Sequence, residues 1–233
     1  MPENNSRRAY DHLRNKLVSG GFSPGSRIRY GPIGKELGIS ATPVREAIGQ
    51  LANEGFVELV PQLGAVVRRV GVDELTEIYE MREALESYAA ATAAERITAK
   101  SLQELSDQLD LMVALSDKVQ ASKTRVPSKR VVQQFEKADL VFHMLIIEAT
   151  GNQLMVRTVG NKQLLTGIFS MERHAYDASV LSETCNDHSK ILKALKSGSV
   201  KTSREAMASH IRNGLNRSLA QALEKSTRWW EHV

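Results

Sequence analysis

Apolar residues recur at helical spacing over most of this chain, and one short stretch alternates instead. Ala9, Leu13 and Leu17 fall on one face of residues 7–19, with Arg7, Arg8, Arg14 and Lys16 off it, which predicts an amphipathic helix. The Gly/Pro cluster Gly20–Gly25 ends it. Ile33, Leu37 and Ile39 mark a shorter helix, Pro32–Leu37, that closes near Gly38. In the next helix Val44, Ile48 and Leu51 form the stripe, and Arg45, Glu46 and Gln50 lie off it. Ser40 is placed to accept from the first-turn N–H groups of that helix, and Pro43 suits its opening residues. Phe56–Val60 and Ala65–Val70 then read as two strands around the turn PQLG, a β-hairpin wing. Three helices and a wing predict a winged helix-turn-helix, whose second motif helix offers small hydroxyl residues and an arginine to a major groove.

Beyond Gly71 the strand character disappears. Asp73 is placed to cap a helix carrying Leu75, Ile78, Tyr79, Arg82, Leu85 and Tyr88 to about Ile97. Thr98 is placed to cap a second, with Leu102, Leu105, Leu109, Met112 and Val113 on its apolar side. After a basic, Pro-containing connection, further helices are expected over about Val131–Thr150, Gln153–Tyr176, Leu181–Ser197 and Val200–Lys225. Six helices with mostly short links predict an antiparallel bundle. The chain is therefore read as mainly α: a winged helix-turn-helix over residues 1–72 and a six-helix bundle over 73–233, hinged near Val70–Asp73.

Charge follows that division. The chain carries 31 Lys/Arg and 27 Asp/Glu, a net of +4. Residues 1–72 hold 10 basic and 6 acidic side chains, so the whole excess sits on the winged helix, as phosphate neutralisation requires. A hydrophobic content of 42% and a charged content of 25% are ordinary for a soluble globular protein. A single cysteine, Cys185, excludes an intramolecular disulfide framework and fits a reducing cytosol. No apolar run is long enough to span a bilayer and the start shows no signal-peptide pattern, so a cytoplasmic protein with no membrane partner is expected.

Four polar residues stand on apolar faces of the bundle. Asp139 and His143 are four apart, share one helix face, and are flanked by Phe135, Phe142 and Ile146. His188 lies beside the stripe Ile191, Leu192 and Leu195; His210 is in phase with Met207, Leu215 and Leu219. One carboxylate and three imidazoles from three helices could chelate a divalent transition metal, leaving positions open for a small molecule. Taken singly, an Asp–His pair at this spacing is also an ordinary hydrogen-bonded pair.

Two resemblances bear on these readings. FSPGSRI, the PVREAI core, LANEGFVEL and the Gly-bearing wing, over roughly residues 7–70, resemble the N-terminal domain of the GntR family of bacterial transcription regulators. The resemblance implies that the chain binds operator DNA as a homodimer and that Arg45, the arginine of PVRE, contacts it. Ser40, Thr42, and wing residues Gln62 and Gly64 join it as candidate contacts. Arg8 is a candidate phosphate contact or a solvated surface arginine. Where the family usually carries arginine in SRTPVRE, this chain has Ala41, so an operator cannot be copied from relatives. Residues 73–226 look like the all-helical FCD effector domain of the FadR-like branch, and six helices resemble its VanR-like subgroup. Asp139, His143, His188 and His210 match that domain's acid and three histidines in order.

The resemblance implies a divalent metal, zinc or nickel, that helps bind a small carboxylic-acid effector. Arg82 is the first candidate to pair such a ligand, or else forms a salt bridge with Glu86. Arg173, His174 and Asn213 are further candidates, and His174 could equally supplement the metal ligands. The function implied is a metabolite-responsive transcription regulator, with repression relieved by the effector as the commoner family behaviour. A metal-dependent enzyme and a constitutive DNA-binding protein with a structural metal stay open, although neither an HExxH motif nor a placed general base is evident.

Overall fold

The computed structural model describes residues 5–18, 20–160 and 176–228. They form two compact units, one ending at Gly71 and the other beginning at Val72.

The first unit opens with α1 (Asn5–Val18), which buries Ala9, Leu13 and Leu17 completely. A two-residue strand, β1 (Arg27–Ile28), leads into α2 (Tyr30–Leu37). Gly38 ends α2 with a left-handed φ of 68°, a conformation that costs glycine little and lets the chain reverse into the next helix. In α3 (Ala41–Asn53), Val44, Ala47, Ile48 and Leu51 are buried against α1 and α2. The hairpin β2 (Val57–Val60) and β3 (Gly64–Val67) follows. Its turn passes through positive φ at Gln62 (65°) and Gly64 (83°). β3 is the central strand, antiparallel to β2 with Val57 opposite Val67 and to β1 with Arg27 opposite Val66.

Three local expectations fail here. The wing has a third strand, β1, because two residues are too few to show an alternation. The second wing strand stops at Val67 rather than Val70, and Arg69 turns its Nε to the Pro24 carbonyl at 3.4 Å. Ser40 has the extended backbone of an N-cap, yet its side chain makes no capping bond. The residue is exposed, and first-turn N–H groups at an exposed helix start are open to solvent rather than dependent on a side-chain cap.

Every regular element among the described residues of the second unit is a helix: α4 (Val72–Arg96), α5 (Ala99–Gln120), α6 (Lys129–Glu148), α7 (153–160), α8 (Ala178–Lys196) and α9 (Val200–Arg228). The Ser101 N–H donates to Thr98 Oγ1 at 3.1 Å, and Asp177 Oδ1 accepts from Ser179 and Val180 at 2.8 and 2.9 Å, so side chains close these helix starts. Asp73 does not cap α4, because the helix already begins at Val72; its charge instead sits in the first turn, favourably placed for the helix dipole. Tyr88 and Val113, read as inward-facing, are exposed, because the buried stripes of α4 and α5 run through Glu86–Ala89 and Leu109–Met112 instead. α4 packs along α9, α5 against α6 and α8, and α8 against α9. Gly214 permits the α4–α9 approach, since a Cβ there would stand 3.0 Å from Tyr79 Cε1. Three helices, α6, α8 and α9, thereby bring their polar positions to one place among Phe135, Phe142 and Ile146.

Candidate metal centre and nucleic-acid interface

α6 carries Asp139 and His143 one turn apart, α8 carries His188 and α9 carries His210. The histidines are 0%, 0% and 6% exposed, whereas the Asp139 side chain is 33% exposed and forms the open side of the cluster. His143 Nε2 lies 3.2 Å from His210 Nε2 and 3.9 Å from Asp139 Oδ1. His188 Nε2 lies 3.1 Å from that same Oδ1. One ligand atom from each of the four residues lies within 4.8 Å of the others, close to the roughly 4 Å that opposed ligand bonds of about 2.0–2.2 Å span.

The rings are held from behind. His143 Nδ1 donates to Glu86 Oε2 at 2.5 Å, and Glu86 Oε1 accepts from Arg82 Nε at 2.7 Å. His188 Nδ1 donates to the Thr184 carbonyl at 2.8 Å. Each bond commits the Nδ1 proton and leaves the Nε2 lone pair turned to the cluster. His188 Nε2 is completely buried there without a hydrogen bond of acceptable geometry, as is His210 Nδ1. A buried acceptor left bare beside a carboxylate and two further imidazoles is the environment a cation completes, so the residues present fit a divalent transition metal.

Electrostatics agree with that geometry. Burial pushes the Asp139 carboxyl up, but the surrounding His188, His143 and His210 outweigh it and hold the group well below the usual carboxylate range. Burial likewise raises Glu86, and the adjacent Arg82 and His143 bring it down to about 2. Desolvation, with His188 and His143 nearby, holds His210 well below an ordinary imidazole, so it is neutral and able to ligate.

The candidate effector residues fare differently. Arg82 is buried, spends its Nε on Glu86, and has its guanidinium 5.2 Å from the Tyr79 ring centre. Asn213 donates to Asp187 Oδ2 at 2.9 Å, and that oxygen lies 3.9 Å from His210 Nδ1, so Asn213 stands behind a cluster ring. Arg173 and His174 lie outside the described residues. Glu86, read as a salt-bridge partner of Arg82, does pair with it one turn away on α4; its support of His143 from behind, and that of Asp187 beside His210, were missed because each acts across to another helix. Glu136 was also missed, although it precedes Asp139 by three and His143 by seven on the same face of α6. Its Oε1 accepts from the Tyr176 hydroxyl at 3.2 Å while Oε2 is buried without a partner. Burial, aided by the Asp139 charge, raises its carboxyl to about 8.

In the first unit, Ser40, Thr42 and Arg45 are exposed at the start of α3, and Gln62 is exposed in the wing turn beside the half-buried Gly64. Arg8 is half-buried and reaches the last carbonyl of α2, Leu37, at 3.5 Å. Ala41 is exposed as well, so the first turn of α3 offers hydroxyls without a cation.

Residues 5–67 match the family described as bacterial regulatory proteins, gntR family, and residues 77–213 match the FCD domain. The HTH-type transcriptional regulator McbR of Escherichia coli K12 is 34% identical over 106 residues, 46% of this chain and 48% of that protein. The Nta operon transcriptional regulator of Aminobacter aminovorans is 30% identical over 142 residues, 61% and 62% of the two chains. The chain thus spans about half to two thirds of the length of these curated relatives. A longer match, 24% identical over 97% of this chain and 93% of the other, is to the E. coli K12 transcriptional repressor RspR. Among solved structures, E. coli McbR/YncC superimposes with a TM-score of 0.80 at 22% identity, covering 94% of this chain and 99% of that one. A GntR regulator from Rhodococcus sp. RHA1 does so with 0.77 at 19%, with the same coverage. At such identities the likeness is one of fold. The FCD match alone spans more than half of the sequence and follows directly on the helix-turn-helix match, and the chain belongs to the GntR family of bacterial regulatory proteins with an FCD domain.

Proposed function

We propose that this protein is a metabolite-responsive transcription regulator. Residues 1–72 bind a pseudo-palindromic operator in double-stranded DNA as a homodimer. Residues 73–233 hold a divalent transition metal, zinc or nickel, and a small carboxylic acid whose binding alters DNA affinity. The observation that carries this reading is the convergence of Asp139, His143, His188 and His210, with the buried His188 Nε2 facing Asp139 Oδ1 at 3.1 Å without a well-formed hydrogen bond. When bound, the ion would supply a Lewis-acidic position for a carboxylate oxygen. The chain's own residues do the rest. Glu86 and the Thr184 carbonyl fix the tautomers of His143 and His188. Asp139, the half-buried member, forms the side of the cluster nearest solvent, and Arg82 still has both Nη groups to offer an anion, since its one hydrogen bond among the described residues uses Nε. DNA affinity then changes only as far as the ligand binds the DNA-competent state better or worse than the other.

Metal analysis of the purified protein beside the His188→Ala/His210→Ala variant tests this. Roughly one transition metal per chain, lost in the variant, is expected; no metal in either, even after reconstitution with zinc or nickel, removes the metal-assisted pocket. A second reading, a constitutive DNA-binding protein with a structural metal, gains from the engagement of Arg82 by Glu86 and of Asn213 by Asp187. Stoichiometric metal with operator affinity indifferent to every small carboxylic acid tried would favour it.

A further inference from the structure

With Ala41 at its first position, the opening of α3 offers no cation before Arg45, and the neighbouring strand supplies another. β1 sets Arg27 and Ile28 on opposite faces, Ile28 buried and Arg27 exposed. Arg27 lies opposite Val66 in the sheet, and its side chain reaches back along the wing to the turn. A Cβ placed on Gly64 would stand 3.8 Å from Arg27 Nη2 and 3.9 Å from the Tyr30 hydroxyl. On α3, the Arg45 guanidinium lies 5.7 Å from the Tyr30 ring centre. The phenol at the start of α2 therefore has the Arg45 guanidinium against its ring and its hydroxyl at the wing turn that Arg27 also lines.

Pairing separates these arginines from several other cations of the unit. Arg7 bonds Asp11 at 3.0 Å, Lys16 bonds Glu36 at 2.5 Å, and Arg68 stands 3.7 Å from Glu58. Among the described residues, neither Arg27 nor Arg45 has a carboxylate partner. Two guanidinium groups gathered around one phenol with no carboxylate partner favour an anion that lies across both. Gly64 places no side chain over this spot, and its φ of 83° favours glycine there.

We infer that Arg27 and Tyr30, with Arg45, form a phosphate clamp that joins the wing to the recognition helix and takes the DNA backbone where it borders the groove. The clamp rests on the DNA-binding reading proposed above. Arg27 and Arg45 contribute charge, and Tyr30 spaces them and donates its hydroxyl to a phosphate oxygen. Such contacts set register and affinity but carry no base information, so they act on any duplex.

The test uses the full-length protein and a mixed-sequence DNA duplex of about 30 base pairs, long enough for two half-sites, with affinity followed against salt concentration. Arg27→Ala should weaken binding about tenfold near 0.1 M salt and flatten the log–log salt slope by roughly 1 per chain. Arg27→Lys should keep the slope with partial affinity, and Tyr30→Phe should lose a few-fold. Lys201→Ala, an exposed cation of the other unit, should match the parent. If Arg27→Ala melts early, Arg27→Lys and Tyr30→Phe decide, because both keep the packing. Parent affinity and slope in Arg27→Ala, with Arg45→Ala weakened, overturn the clamp alone. A parent protein that binds no duplex at any salt concentration overturns the clamp and the DNA-binding reading together.

Discussion

The winged-helix unit and the helical bundle treat their polar side chains in opposite ways. In the first, Arg45, Arg27, Thr42 and Gln62 stand exposed over an apolar core of Leu13, Leu17, Ile48 and Leu51. In the second, Arg82, Glu86, His143 and His188 are buried, and hydrogen bonds run from Arg82 through Glu86 to His143. Exposed cations keep their hydration and are held only loosely by the fold, so the fold should survive their loss while the proposed phosphate binding should not. Buried ions must be compensated where they stand, so each partner of the bundle chain is fixed by the next. The difference separates residues whose removal damages binding from residues whose removal damages the structure.

Glu86→Ala should break that separation most severely. It leaves the Arg82 guanidinium buried without its carboxylate and removes the acceptor that holds the His143 Nδ1 proton. Loss of one member of a buried pair costs about 3–5 kcal/mol, which urea unfolding would register as a large fall in midpoint. Removing the partner behind a metal-binding histidine typically weakens metal affinity about 10–100-fold, so, on the metal site proposed above, titration of the folded fraction should show a second deficit. Unfolding and metal affinity both close to the parent's would mean that the chain from Arg82 to His143 organises nothing.

Glu136 should give the next effect, visible through pH. Burial raises its carboxyl to about 8, with Asp139 adding to the shift and the Tyr176 hydroxyl opposing it, against an unfolded value of about 4.3. The folded chain therefore binds the proton more tightly, so this group's contribution is fully present at low pH. It is lost as pH rises from about 4.3 through about 8. Thermal unfolding of the parent should decline across that window relative to Glu136→Gln, whose neutral amide cannot titrate. Parallel profiles would show that Glu136 is not protonated in the folded protein.

Much of this arrangement is written in the sequence, and the part that is not has a definite physical cause. Periodicity alone carried the winged helix and the helical bundle, since Val44, Ile48 and Leu51 or Phe135, Phe142 and Ile146 repeat at helical spacing. The same periodicity puts Asp139 and His143 on one face. Order along the chain, compared with the FCD domain, supplied His188 and His210; their meeting depends on how α6, α8 and α9 pack, which no local pattern states. Glu86 precedes His143 by 57 positions and reaches it only because α4 lies against α6. β1 escaped because two residues cannot show an alternation, and Arg27 was hidden with it.

Arg45→Ala sharpens the comparison from the exposed side. The side chain is exposed and touches Tyr30 without an ion pair among the described residues, so stability should stay within about 0.5 kcal/mol of the parent. Affinity for DNA should nonetheless fall about tenfold, with a shallower salt dependence. An unfolding midpoint that drops as far as the affinity does would place Arg45 among the structural residues instead.

The smallest effect is expected at two helix starts that look alike in sequence. Thr98 before α5 accepts a bond from the Ser101 N–H at 3.1 Å, whereas Ser40 before α3 has the same extended backbone and accepts none. Alanine at a working cap typically costs about 1 kcal/mol, so Thr98→Ala should lower the unfolding midpoint measurably. Ser40→Ala should change it by less than about 0.5 kcal/mol, the range of surface substitutions that break no bond. The Ser40 hydroxyl, unused by the fold, remains available to a phosphate or base, and its loss should appear in DNA affinity alone. Equal destabilisation by the two variants would mean that Ser40 caps α3 in solution, and the recognition helix would then hold its hydroxyl for itself rather than present it to DNA.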